Sequence, residues 1–597
     1  MESVCARFDD LSPGHASSHG FVDERGQIVA HRLDEVLPAF QAAEQAARDG
    51  MWVAGYVGYE AAPALNPELV VRPAGLHDPL RGLPLVRFSL FGKRIRSAAV
   101  TDPEYLAGDY HISAWSADAT PDHYQEDLAG IGRAIMSGEI ARLTHTIRLR
   151  AAFSGDPAGL YRDLAMSQRG SNAVCLDSGR YRIVSASPSP FFSRVGDWLE
   201  MRPVLAAGPR GRWTEEDRSL AQQLLRAGES SQANRLAMSQ IESELRGLGE
   251  PASTKRSHRL FLERYETIWH LAAAIGTRLR PGTSLVEIFA ALFPPVAVTG
   301  VPRLEAMHVI AATERSPRGV YCGAIGYLTP PDGDGPVDAS FNVAVRTVII
   351  DENEGVAEFG VGGAITRGSD VATAYEEARL KAKVLVERRP EFAIVEEVRC
   401  DEHGFVRLDE HIDRLADSAG YFGFECDRAA VRVAVERIAA RTAPPAVIRI
   451  ELQRSGTVAT TVEPAVPWRD EPAGRSTDLV LAARPVSSEN VYLYHQTTNR
   501  RFMDSAQRQG EAGDGVILWN ERDEVIGVAD SVFLVDLDGK WLVPPVDSGC
   551  QPRVLRDALV AAGSAVEQVL PVAALHQAQR LALVDEASGW RGARLLG

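Results

Sequence analysis

Several residues of this chain have the type and spacing to handle a small anion. Arg346 lies in a segment, Ser340 to Ile350, that repeats Phe341, Val343, Val345, Thr347 and Ile349 at every second position and predicts a half-buried strand. A guanidinium on a strand offers a planar fork that matches a carboxylate. Gly360-Val361-Gly362-Gly363 predicts a glycine-rich turn, where backbone amides approach an anion with no Cβ in the way. Glu377 and Lys381 are spaced to share one face of a helix predicted over Ala372 to Glu387; a substrate-facing pair and a solvated ion pair are the alternatives. His270 follows Trp269 on what reads as an apolar helix, as a satisfied core histidine or as a proton-transfer group. Much further on, His495-Gln496-Thr497-Thr498-Asn499-Arg500 forms a polar cluster around an amide.

The elements that must position these groups alternate between the two regular periods. Leu33 to Ala47 predicts a helix with Leu33, Val36, Leu37, Phe40 and Ala43 on one face. Met51 to Tyr59 predicts a strand, and Tyr124 to Ile135 a helix ahead of Gly138. Arg388-Arg389-Pro390 suits a linker. A new pattern then begins: a strand at Phe392 to Arg399, a turn around Asp401 to Gly404 and a helix at Leu408 to Gly420. The expected organisation is an α/β (α+β) chain with domains at 1–388 and 389–597.

Composition narrows the partners. A formal charge of -16 argues against a broad nucleic-acid surface but allows a local basic pocket. Six scattered cysteines without a C-x-x-C fit reduced thiols and no structural zinc. No basic-then-apolar leader and no apolar run of about 18 residues is visible, so a cytoplasmic protein without a membrane span is expected.

The order of motifs through the first region resembles component I of aminodeoxychorismate synthase, in the wider family that includes anthranilate and salicylate synthases. Val53-Ala54-Gly55-Tyr56-Val57-Gly58-Tyr59-Glu60 is similar to that family's N-terminal strand-and-turn segment. Tyr321-Cys322-Gly323-Ala324-Ile325-Gly326-Tyr327 and Phe341-Asn342-Val343-Ala344-Val345-Arg346-Thr347 resemble two of its most specific motifs. Tyr375-Glu376-Glu377-Ala378-Arg379-Leu380-Lys381 resembles its C-terminal helix. The resemblance implies a two-sheet α/β sandwich that binds chorismate, a dicarboxylate whose hydroxyl leaves with acid or metal help. It implies substrate contacts from Arg346, Tyr321, Gly362, Gly363, Ala364 and Thr299, and catalytic roles for His270, Glu377 and Lys381, with Glu377 on magnesium.

The departures bear directly on chemistry. Pro203-Val204-Leu205-Ala206-Ala207-Gly208-Pro209-Arg210-Gly211 stands where the family has P-I-K-G-T-R-P-R-G, so Leu205 replaces a nucleophilic or basic lysine. Ala233 replaces the other magnesium glutamate, and Glu377 alone is a poor site, so magnesium is expected to be weak or absent. Ala141-Arg142-Leu143-Thr144 stands in place of Y-Q-V-N.

The second region resembles aminodeoxychorismate lyases, fold-type IV pyridoxal-phosphate enzymes of the class IV aminotransferase type. Glu396-Glu397-Val398-Arg399, His411-Ile412-Asp413-Arg414-Leu415, Trp519-Asn520-Glu521 and Ser588-Gly589-Trp590 carry the likeness. His495-Gln496-Thr497-Thr498-Asn499-Arg500 corresponds to H-K-T-T-x-R, whose lysine forms the Schiff base. An amide nitrogen is not nucleophilic, because its lone pair is delocalised, so Gln496 cannot form an imine. Gly527 replaces the glutamate that pairs with the pyridinium nitrogen, and Arg553 a glycine beside the phosphate, while Arg414 matches the phosphate-holding arginine as a vestige. Covalently bound pyridoxal phosphate is therefore not expected.

The expectation is a divergent synthase/lyase of the 4-aminobenzoate branch. Its first domain acts on chorismate or a close relative, and its second is a cofactor-independent scaffold. The alternatives are a non-catalytic partner of a glutamine amidotransferase or an active synthase, and an ordinary bifunctional 4-aminobenzoate synthase. A homodimer through the second domain is a further expectation.

Overall fold

The computed structural model describes residues 5–12, 17–76, 78–102, 104–257, 259–333, 335–369, 374–375, 378, 381–382, 385, 391–503 and 513–596. The chain forms two compact units, Met1–Arg210 with Leu220–Arg389, and Gly211–Ser219 with Pro390–Gly597.

In the first unit, helix α1 (Leu33–Arg48) starts where the Glu35 carboxylate accepts from the backbone N–H groups of His31 and Arg32 at 2.8 and 3.1 Å. It buries Val36, Ala39, Phe40, Ala43 and Ala47, and Phe40 meets Phe289 with ring centroids 4.7 Å apart. Leu33 and Leu37, expected on that face, are 45% and 37% exposed. The buried stripe runs through Ala39 and Ala47 instead, where short side chains admit the aromatic neighbours. Helix α2 (Pro121–Met136) has Thr120 as its cap and buries Tyr124, Leu128, Ile131 and Ile135. Helix α3 (Gln232–Leu248) begins at the Ser231 cap.

The strands that carry the site pair antiparallel. They are β1 (Trp52–Val57), β2 (Arg142–Gly155), β3 (Val204–Pro209), β4 (Ile268–Ala272), β5 (Ala324–Thr329), β6 (Asp338–Val343), β7 (Thr347–Asp351) and β8 (Val356–Thr366). β5 joins β1 to β6, and β8 joins β7 to β2 along its whole length, from Val356↔Ala152 to Thr366↔Arg142. β3 and β4 belong to a separate three-stranded sheet completed by Phe261–Arg264.

Three expectations change here. The segment Ser340 to Ile350 is two strands rather than one, and its second half is wholly buried. The break falls at Ala344–Arg346: Arg346 adopts φ +50°, and Ala344 exchanges backbone hydrogen bonds with Cys322 and Gly323. His270 lies on β4, not on a helix, because Ile268 to Ala272 is hydrogen-bonded by β3 on one side and Phe261–Arg264 on the other. The glycines Gly360 to Gly363 form no turn; they sit inside β8. Their lack of side chains serves close packing. A Cβ at Gly360 would stand 2.1 Å from the Tyr321 ring, and one at Gly362 would stand 2.1 Å from the His145 carbonyl oxygen.

Beneath Tyr321 lies a buried charge network. Glu314 accepts from Arg318 at 2.6 and 3.0 Å, from Arg148 at 3.1 Å and from the Thr146 amide and hydroxyl at 2.9 and 2.7 Å. The Arg148 guanidinium stacks 5.2 Å over the Tyr321 ring. Burial opposes the charged carboxylate, but Arg318 and Arg148 outweigh it and hold the Glu314 pKa at about 2.

The second unit opens with β9 (Ile394–Asp401) in a four-stranded sheet. Helix α4 (Leu408–Phe422) ends at Gly423, whose φ of +71° closes it. An eight-stranded sheet follows, including β10 (Gly515–Trp519) and β11 (Val525–Val528), with helix α5 (Val554–Ala561). None of the six cysteines, all among the described residues, is in a disulfide. Among the described residues no helix is long and apolar enough to cross a membrane.

Glu314→Gln leaves two buried guanidiniums without a carboxylate and should cost about 3–5 kcal/mol of stability. Urea unfolding checks this, and a loss below about 1 kcal/mol would refute the role given to the network.

Candidate functional site

In the first unit the structure gathers His270, Arg346 and Lys381. His270 on β4 is 6% exposed, its ring centroid is 4.9 Å from that of Tyr265, and its Nδ1 has no hydrogen-bond partner among the described residues. Burial, with Arg346 and Lys381 close by, drives its pKa down to about 3, so the imidazole is neutral near pH 7. Arg346 is buried at the bend between β6 and β7. Its Nη1 donates to the Gln168 amide oxygen and to Thr267 Oγ1 at 3.4 Å. Lys381, on the C-terminal helical segment of this unit, donates from Nζ to the Gly362 carbonyl at 2.8 Å. The result is a neutral, buried ring within electrostatic reach of two cations, which suits an anionic ligand.

The remaining expected residues divide. Tyr321 is buried between the Arg148 guanidinium and the bare backbone of Gly360, and Gly362 and Gly363 lie on β8 beside it. Ala364 is exposed on the same strand. Thr299 is fully buried and spends its hydroxyl on the Pro295 carbonyl at 3.0 Å. Glu377 lies outside the described residues. Leu205 is buried in the apolar core at a bulge of β3, and Ala233 is buried on the first turn of α3. A methyl group offers magnesium no oxygen, and among the described residues no three His, Cys, Asp or Glu are grouped to hold a metal.

The sequence reading gave no role to Gln168, Thr267 or Arg142. Gln168 and Thr267 have no signal of their own, since they matter only through Arg346. Arg142 does have one: it is a charge at the start of a strand, between the buried apolar residues Ile140 and Leu143.

In the second unit a cleft of about 300 Å³ is lined by Glu396, His411, Arg414, Gln496, Arg553 and Asp585, among others. Arg414 donates to Glu396 at 2.6 Å, and His411 Nδ1 lies 2.8 Å from the other Glu396 oxygen. Burial would raise the Glu396 pKa, but Arg414 and His411 bring it below the usual value. Glu586, also in the lining, is raised by burial. An adjoining cleft contains Gly527 and shares Val532 and Arg553 with the first. Gly527 has φ +131°, a conformation in which a side chain is strained, so no carboxylate is readily placed there. Gln496 and Gly527 do not fit a pyridoxal phosphate held through an imine and a protonated ring.

Comparisons with known proteins follow the same division. A family model described as chorismate binding enzyme matches residues 11–387, and one described as amino-transferase class IV matches residues 393–596. An aminodeoxychorismate synthase of Streptomyces griseus is 32% identical over 267 residues, covering 44% of this chain and 36% of its own length. Aminodeoxychorismate synthase component 1 of Bacillus subtilis is 26% identical over 250 residues, covering 42% of this chain and 52% of its own. The chain thus spans about half or less of the length of these relatives. A crystal structure described as a 2,3-dihydroxybenzoate-specific isochorismate synthase from Bacillus anthracis superposes with a TM-score of 0.51 at 17% identity, over 64% of this chain and 95% of that one, and shows the shared fold.

The His270 environment predicts a pH signature. Between about pH 6.5, the free imidazole value, and its folded pKa of about 3, the unfolded chain binds a proton that the folded chain excludes. His270 therefore makes stability fall as pH falls through that window. Its ring resonances should not titrate between pH 5 and 8 in NMR spectra assigned with His270→Gln. A midpoint near 6.5 would contradict the burial and the two nearby cations.

Proposed function

The chain belongs to the chorismate-binding enzymes, followed by a class IV aminotransferase-like domain, and from that premise we propose that its first unit acts on chorismate or a close relative without the usual magnesium pair. The observation that carries this reading is that Arg346 and Lys381 both act electrostatically on the buried, neutral His270, whose Nδ1 has no hydrogen-bond partner among the described residues. Arg346 supplies a fork for a carboxylate. A neutral imidazole hydrogen-bonds a departing hydroxyl without adding charge beside the cations. Leu205 supplies no nucleophile and Ala233 no metal ligand, so in the reaction proposed Lys381 supplies the proton that lets the hydroxyl leave as water, while neutral His270 only hydrogen-bonds that hydroxyl.

In this reading the second unit is a scaffold without covalent pyridoxal phosphate, supported by Gln496 and by the backbone at Gly527. A second reading is a binding or regulatory partner of a glutamine amidotransferase or an active synthase. The buried apolar side chains of Leu205 and Ala233 favour it. An ordinary bifunctional 4-aminobenzoate synthase is disfavoured by the same residues together with Gln496.

Purified protein incubated with chorismate, with and without magnesium and ammonia, should release a product seen by mass spectrometry at similar rates with or without the metal. Binding without product would favour the regulatory reading. Arg346→Ala should weaken chorismate binding about 10- to 100-fold in calorimetry, since a charge-assisted hydrogen bond is worth about 1.5–3 kcal/mol; unchanged affinity would refute the pocket. Protein given excess pyridoxal phosphate, treated with borohydride and desalted should carry no adduct on any lysine of the second unit. A stoichiometric adduct there would overturn the scaffold reading.

A further inference from the structure

Arg142, the residue that stands in place of the glutamine of Y-Q-V-N, opens β2 and is 5% exposed. Its Nη1 donates to the main-chain carbonyl of Leu205 at 2.6 Å. Its Nε is buried with no hydrogen-bond partner among the described residues. Arg148 and Arg318 share Glu314, Arg303 holds Glu244 at 2.7 Å, and Arg556 holds Glu567. Those arginines are buried to a similar degree, yet among the described residues Arg142 has no such carboxylate. Burial alone shifts its pKa, down to about 10, with no charged neighbour contributing, and at that value the guanidinium stays protonated near pH 7. A buried cation without a counter-charge is costly, and a fold that retains one gains when an anion reaches it.

Two features aim this cation at the proposed pocket. The β2–β8 register sets Arg142 opposite Thr366, Thr144 opposite Ala364, Thr146 opposite Gly362 and Arg148 opposite Gly360. Directly opposed residues of an antiparallel pair share a face, so Arg142 projects from the face on which Tyr321 covers Gly360. Its acceptor, Leu205, sits in the β3 bulge, close in sequence to Ala207, and Ala207 lies opposite His270. The chain has thus lost an amine at position 205 and gained a guanidinium hydrogen-bonded to the carbonyl of that same residue. Unlike the amine, the guanidinium brings charge and directed donors but no nucleophile or base.

We propose that Arg142 is a second carboxylate subsite of the first unit's pocket, which makes the pocket selective for ring compounds bearing two carboxylates over those bearing one. This rests on the chorismate-pocket reading above. Arg346 and Arg142 then each take one carboxylate, with His270 and Lys381 serving the ring.

Calorimetry and thermal unfolding on the full chain test it, using wild type, Arg142→Gln, Arg142→Lys and Arg346→Ala, with chorismate as the dicarboxylate and 4-hydroxybenzoate as the monocarboxylate. Arg142→Gln should bind chorismate about 10- to 100-fold more weakly and 4-hydroxybenzoate as wild type does, with an undiminished Tm because an uncompensated charge has been removed. Arg142→Lys should recover part of the chorismate affinity. Arg346→Ala should weaken both ligands. If Arg142→Gln binds chorismate as wild type does, or loses both ligands together with a lowered Tm, Arg142 is only a structural contact to Leu205 and the proposal falls while the pocket stands. If folded wild type binds neither ligand, the pocket reading itself fails and takes this subsite with it.

Discussion

Glu314 ties β2 to the segment that leads into Tyr321, and the pocket depends on that tie. Its carboxylate engages Arg148, Arg318 and the Thr146 backbone at once. Arg318 in turn donates to the Val298 and Thr144 carbonyls at 2.6 and 2.9 Å, which pins the loop carrying Thr299. Arg148 supports the Tyr321 ring, and that ring needs Gly360 bare. A buried network of this kind tolerates little change in any one member. The left-handed backbone of Cys322 and Arg346 lies in the neighbouring segments, joined by the Cys322–Ala344 hydrogen bond.

In the reading proposed above, the pocket keeps these supports while its reactive groups differ from those the resemblance implies. Leu205 and Ala233 belong to the apolar interior, as their side chains require. In that reading positive charge comes from Arg346 and Lys381, with Arg142 as the proposed addition. Such a site favours grip over nucleophilic attack, and a neutral His270 that feels both cations fits an anionic ligand that would restore local charge balance. The second unit is read in the same way. Arg414 persists at the cleft but is paired with Glu396, and the positive φ at Gly527 shows that the backbone there suits glycine rather than a glutamate.

Much of this was legible in the sequence. Helix α1, helix α2 and the opening of the second unit followed from apolar periodicity, and the motif order around Tyr321 and Arg346 pointed to the right family. The misreadings share a cause. Periodicity shows which residues are apolar but not which neighbour covers them. His270 reads as helical when its two pairing strands are unseen, and Ser340 to Ile350 reads as one strand because its bend is set by hydrogen bonds to a distant segment. The glycines of β8 suggested a turn because glycine is usually read as freedom, whereas here it provides room for a tyrosine and a carbonyl. That Arg142 has no carboxylate partner among the described residues could not be read at all, since it is a property of three-dimensional surroundings.

The central claim is that the first unit holds a dicarboxylate between Arg346 and its neighbouring cations without magnesium. A crystal structure of the protein soaked with chorismate in the presence of a chelator tests it most directly. The account predicts ligand density beside Tyr321, one carboxylate on Arg346 and the ring next to His270. Density that forms only when magnesium is supplied, or a ligand seated away from Arg346, would contradict it.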